Sequence, residues 1–184
     1  MTSTIESLCN NYERQVRLPW EDNLAGPQRV WFAIYPPANE RRLRLRLPLF
    51  ETAAKSAGKG WKHLDLTSAF ADWMANHDER EAYFQDPSAL ALGLKRFEPA
   101  LATQVRTALE AADATPRTIV ALSGVASLFG LASVSRLVAD VGPSIRGRLL
   151  VFFPGHKEND LFKLLDATTG YNYLAVAITP EGGD

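Results

Sequence analysis

Cysteine is almost absent from this chain: Cys9 is the only one in 184 residues. A single thiol makes no intrachain disulfide, so the sequence does not read as a secreted, disulfide-stapled scaffold. An excess of either charge is missing too. With 20 basic and 21 acidic residues, the formal net charge is -1. A dedicated nucleic-acid binder draws much of its affinity from neutralised phosphates and carries a basic surplus. Strong direct nucleic-acid binding by the isolated chain is therefore not expected. No apolar run reaches the about 18 residues needed to cross a bilayer. The most apolar stretch, 118–131, is interrupted by Ser123, Gly124, Ser127 and Gly130. The start, Met1-Thr2-Ser3-Thr4-Ile5-Glu6, has neither the basic nor the apolar region of a secretion signal. These absences predict a cytoplasmic protein without membrane contact.

The spacings that carry catalysis or metal binding are also missing. His63, His77 and His156 form no HxxxH, HExxH or HxH pattern, so no metal site and no cofactor are expected. Ser127 follows Gly124-Val125-Ala126, which is not the Gly-x-Ser-x-Gly order of a nucleophile elbow. The turn 123–130 follows a strand and opens a helix, where phosphate loops sit. It has neither the lysine of a Walker loop nor the three glycines of a dinucleotide fingerprint. Gly124 and Ser127 read as small residues that let helix and sheet approach. His156 follows Pro154-Gly155 at a strand end, and ligands of open α/β sheets bind beyond such ends. Gly124, Ser127, Gly155 and His156 are therefore the candidate ligand or loop site, and no residue is assigned a catalytic role.

What is present reads as one domain over 1–184. Residues 1–19 carry an amphipathic helix with Ile5, Leu8, Tyr12 and Val16 at helical spacing. A connector spans 20–28, and a sheet-helix body spans 29–184. Short apolar runs at 29–35, 61–66, 118–122 and 148–153 predict four strands. Helices between them imply crossovers, hence a mainly parallel sheet with helices on both faces. Asn39 and Thr67 are the expected helix caps, and Asp86-Pro87 starts a further helix. Pro48 and Pro99 are expected to kink or divide their helices. A helix is expected from Gly124 to Gly142, and the fourth strand is expected to stop at Pro154. Runs 161–166 and 172–178 predict a C-terminal β-hairpin at the sheet edge, turning near Gly170. The basic run Glu40-Arg41-Arg42-Leu43-Arg44-Leu45-Arg46 reads as a solvated face with arginines lying over apolar surface. Trp20 stands outside the sheet, in the connector. With Tyr12 on the N-terminal helix, it is the candidate partner-binding residue.

Several segments in order carry a likeness to a known family. They are Tyr12-Glu13-Arg14, Leu18-Pro19-Trp20 and Leu24-Ala25-Gly26-Pro27-Gln28-Arg29-Val30-Trp31-Phe32-Ala33-Ile34-Tyr35, then Arg80-Glu81-Ala82-Tyr83-Phe84 and Val125-Ala126-Ser127-Leu128-Phe129-Gly130. Arg146-Gly147-Arg148-Leu149-Leu150-Val151-Phe152-Phe153-Pro154-Gly155, Leu165-Asp166-Ala167 and Tyr171-Asn172-Tyr173-Leu174-Ala175-Val176 complete the set. Together they resemble the BrxB family, a small component of the BREX (bacteriophage exclusion) defence systems of bacteria. The likeness departs at His156-Lys157, where a more acidic and aromatic pair is expected. It implies a non-enzymatic adaptor that binds a PglZ-type alkaline-phosphatase-like protein. A large ATPase and an adenine-specific DNA methyltransferase are implied as further members of the complex. The alternative expectation is a nucleotide- or phosphoanion-binding regulatory domain that uses the carboxyl ends of the strands.

Overall fold

The computed structural model describes residues 3–158, 161–164, 171–172 and 175–182. Its centre is a parallel sheet of order β2-β3-β4-β1-β7. The strands are β1 (Val30–Tyr35), β2 (Gly60–Asp65), β3 (Thr118–Ser123), β4 (Arg148–Glu158) and β7 (Val176–Ile178). β1 and β3 are buried at every position, as strands covered on both faces must be. One face carries Val30, Phe32, Ile34, Val120, Leu122, Leu149 and Val151. It packs against α5 (Leu90–Glu110) and α6 (Val134–Val141) through Phe97, Leu101, Val105, Leu137 and Val141. The other face carries Trp31, Ala33, Tyr35, Ile119, Ala121, Leu150 and Phe152. It packs against α1 (Thr4–Arg17) and α2 (Glu40–Ser56). The expected α/β class therefore holds.

α1 is capped by Ser3 and Glu6, each accepting the other's backbone N–H. It is not an appendage to a body that closes without it. Ile5, Leu8, Tyr12 and Val16 are all buried in the second core, and Asn11 Nδ2 donates to Thr179 O at 2.8 Å beyond β7. Without α1, Trp31 and its neighbours on that face would meet water.

Several local expectations give way. α2 and α5 continue undivided through Pro48 and Pro99. Both prolines lie on exposed positions, where water can reach the carbonyls they leave unpaired. Each proline's own carbonyl accepts from the hydroxyl four residues on, Thr52 and Thr103, at 2.9 Å. Ser68, not Thr67, stands at the N-cap of α3 (Ala69–Ala75), because the Asp65 carboxylate takes the Thr67 N–H. A helix absent from the sequence reading, α4 (Arg80–Gln85), seats Tyr83. The segment after Gly124 is a short 3-10 turn, Val125–Leu128. α6 begins only at Val134, where Ser133 accepts from the Arg136 N–H. β4 does not stop at Pro154. There it loses β1 and pairs antiparallel with β5 (Leu161–Leu164) from Gly155 onward. Proline is tolerated where a strand changes partners. Glycine is required next, since a Cβ at 155 would lie 2.0 Å from the Lys163 carbonyl. β5 and β6 (Tyr171–Asn172) form the hairpin, which hangs on this overhang of β4. The sheet edge beside β1 is taken instead by β7, parallel to it. The expected turn at Gly170 lies outside the described residues.

Candidate functional site

Among the described residues, three places at the ends of the sheet strands gather polar or aromatic side chains. The first lies at the carboxyl ends of β1, β2 and β3. Tyr35 donates its hydroxyl to Glu40. Arg44 donates to Glu40 at 2.9 Å and to Thr67 Oγ1 at 2.7 Å, and stands 3.7 Å from the Asp65 carboxylate. His63 Nε2 meets Ser123 Oγ at 2.8 Å across the β2/β3 pair. Ser123 is 2% exposed, so its hydroxyl braces the sheet and is closed to a substrate. Gly124 holds φ +74 at the end of β3, and Ser127 donates to Gly124 O at 2.7 Å and to Leu66 O at 3.1 Å. These two candidate residues thus shape the turn.

This cluster gives a pH prediction. Burial disfavours the charged form of His63, with Asp65 and Glu51 opposing and Arg44 assisting, so its pKa lies below the ordinary 6.5. Burial of Asp65 works against ionisation, but hydrogen bonds from Thr67 and the Arg44 charge outweigh it and hold the carboxyl below 3.8. In both cases the folded chain binds fewer protons than the unfolded one, so stability falls with acidity. The first decline begins as pH drops through 6.5, and a second follows below 3.8. Melting curves between about pH 8 and pH 5 should show the first. His63→Gln should flatten it, and an unchanged slope would remove His63 as its source.

The second place is a cleft of about 480 Å³ beyond the carboxyl ends of β1 and β7, beside the part of β4 that overhangs them. Tyr35, Gly155, His156, Lys157, Thr179 and Glu181 are among its walls. Of the four candidate ligand residues, Gly155 and His156 meet here, while Gly124 and Ser127 lie at the end of β3 and outside the walls. His156 is exposed at the margin.

The third place is at the opposite, amino ends of β1 and β4. Trp20 is half-buried with its ring edge-on to Trp31, centroids 5.6 Å apart. Lys59 Nζ lies 4.0 Å and the Arg148 guanidinium carbon 4.6 Å from the Trp20 ring centre. Arg148 is only 5% exposed and donates to two carbonyls, Gly147 at 3.0 Å and Glu21 at 3.2 Å. Arg29 donates to the carbonyls of Asp22, Leu24 and Ile145, fastening the connector to the start of β4. The cavity beside Trp20 measures about 260 Å³.

Tyr12, the other candidate partner residue, is 0% exposed and touches no solvent. It sits among Trp31, Phe50 and Trp61. Its part is packing. Cys9 lies beside it, and burial pushes that thiol up to about 11, with Glu13 adding to the shift. It is therefore a protonated core residue at neutral pH. Sequence reasoning did not find Arg148, Lys59 or Arg29. The one signal was a cation opening the apolar run 148–153. Among the described residues no group of three metal-ligating side chains gathers, and no helix is long and apolar enough to cross a membrane. Comparison with protein-family models, curated proteins and solved structures returned no match.

Proposed function

We propose that this chain is a non-enzymatic adaptor that helps assemble a bacterial phage-exclusion complex, binding a PglZ-type alkaline-phosphatase-like protein. The ATPase and the adenine-specific DNA methyltransferase join through that larger complex in the cytoplasm. The observation that carries the reading is the outer face of α2. Leu45 is 73% and Leu49 41% exposed. They stand four residues apart, so they share one helix face. Arg41 and Arg42 are exposed beside them, and Arg46 pairs with Glu6 at 3.4 Å. A large apolar pair held in water beside exposed arginines suits a partner surface with apolar centre and acidic margin. Leu45→Asp with Leu49→Asp tests it. Surface changes of this kind move stability by about 0.5 kcal/mol. Co-purification with the PglZ-type protein should fall at least about tenfold, the equivalent of about 1.4 kcal/mol. Undiminished co-purification would remove this face from the interface.

The cleft at Tyr35, Gly155 and His156 supports a second reading, a nucleotide- or phosphoanion-binding regulator. Its volume falls within the about 300–1,000 Å³ of small-molecule sites, and His156 and Lys157 offer donors. Pyrophosphate raising the melting temperature, and failing to do so in His156→Ala, would favour it over the adaptor reading.

A further inference from the structure

We infer that the cavity beside Trp20 receives the side-chain carboxylate of an acidic residue, flanked by apolar ones, on a segment of the partner protein. This rests on reading the chain as a protein-binding adaptor.

Three observations on independent groups converge. Arg148 is a buried cation, 5% exposed. Among the described residues it has no carboxylate within ion-pair distance, only the Gly147 and Glu21 carbonyls. A guanidinium has five N–H donors, and a buried charge calls for an opposite one. The Trp20 indole N–H is a second donor, buried and without an acceptor among the described residues. Lys59 is a second positive group, with Nζ 4.0 Å from the Trp20 ring centre. Trp20 and Arg148 line the same cavity, with Leu18, Leu24, Trp31 and Val176 as apolar walls and Gln15, Glu21 and Gln28 as polar ones, and Lys59 lies outside the walls against the Trp20 ring.

The chemistry of the ligand follows. A buried guanidinium that no carboxylate among the described residues bonds directly and an indole N–H without an acceptor favour an anion, while the Glu21 and Asp22 carboxylates act on Arg148 only from beyond ion-pair distance. Arginine forks match the planar carboxylate. At about 260 Å³ the cavity is below the size of typical small-molecule sites, about 300 Å³ and upward. It holds a side chain and its neighbours, not a nucleotide. Leu18 stands exposed at 54% on the rim. Leu18, Leu24, Trp31 and Val176 suit apolar neighbours on both sides of the acidic residue, which an internal position supplies.

The test uses the full chain and a capped peptide, N-acetylated and C-amidated Ala-Leu-Glu-Leu-Ala. The readout is the Trp20 indole N–H resonance, assigned by its loss in Trp20→Phe. Saturable movement at millimolar peptide is expected. The same peptide with Gln for Glu should bind at least about tenfold more weakly. Arg148→Gln should abolish the movement. Lys59→Gln, at a half-buried surface position, should weaken it, and this variant decides the matter if Arg148→Gln melts early. Equal response to the Glu and Gln peptides, or no movement, overturns the inference. Tighter binding of an uncapped Ala-Leu-Leu carboxyl terminus overturns the side-chain assignment. Failure here and failure of the adaptor reading separate cleanly. A PglZ-type protein that co-purifies equally with Trp20→Phe and Lys59→Gln, without peptide binding, removes the cavity and leaves the adaptor. Peptide binding without any co-purification does the reverse.

Discussion

Tyr12→Ala is expected to lower stability by about 3–5 kcal/mol, the range for truncating a fully buried aromatic. In a chain of this length that amounts to a melting temperature lower by about 6–20 °C. The ring is 0% exposed and lies 5.2 Å from Phe50, 6.4 Å from Trp31 and 6.5 Å from Trp61, centroid to centroid. Removing it opens a void among three aromatic side chains that β1, α2 and β2 contribute, so the loss is shared by two layers. Tyr12→Phe should behave in the opposite way. The hydroxyl is buried without a hydrogen-bond partner among the described residues, and burial alone already pushes its pKa up, with Cys9 adding to the effect. Deleting an unsatisfied hydroxyl removes a desolvation cost of about 1–3 kcal/mol, so the phenylalanine variant should melt no lower than the parent. Chemical denaturation of the two variants checks both. A phenylalanine variant less stable by more than about 1 kcal/mol would mean that the hydroxyl holds an acceptor. Any loss of partner binding in Tyr12→Ala should track the unfolded fraction, whereas Trp20→Phe changes a half-buried ring at the margin of this core.

Gly124→Ala is expected to cost about 2–4 kcal/mol, combining backbone strain with overpacking. The backbone there holds φ +74. A Cβ would lie 2.4 Å from Thr67 Oγ1, 2.6 Å from the Asp65 carboxylate and 2.6 Å from the Thr67 nitrogen. The last is main chain and does not swing aside. Gly130 provides the control. It holds φ +75 but has nothing within 4 Å of its added Cβ. Gly130→Ala should therefore cost only the left-handed strain, about 1–2 kcal/mol. The difference between the two variants isolates the close approach of the β2 end to the β3 end. Equal losses would show that conformation alone demands glycine at 124.

The reach of the sequence is clearest at single residues. Val30–Tyr35 and Thr118–Ser123 announced themselves as strands, because a strand buried on both faces needs no alternation and shows as an unbroken apolar run. Thr4–Arg17 announced itself because one side of a helix repeats every three or four residues. Pro48, Pro99 and Pro154 misled for one reason. A missing N–H ends an element only when the orphaned carbonyl cannot reach water or when the neighbouring strand continues past it. Exposure and strand exchange are properties of the assembled chain.

Local pattern and the crossover rule thus determined the main strands, the helices α1, α2 and α5 and the parallel α/β class, since each rests on short-range periodicity and chain chirality. Only the tertiary structure decided that α1 is a covering layer, that Tyr12 is core, that β7 lies parallel beside β1, and that Trp20 meets Lys59 and Arg148. The Arg148 guanidinium and the Glu21 carbonyl that holds it are 127 residues apart. No spacing along the chain encodes that meeting. It follows from the strand order β2-β3-β4-β1-β7, which brings the start of β4 beside the connector that enters β1.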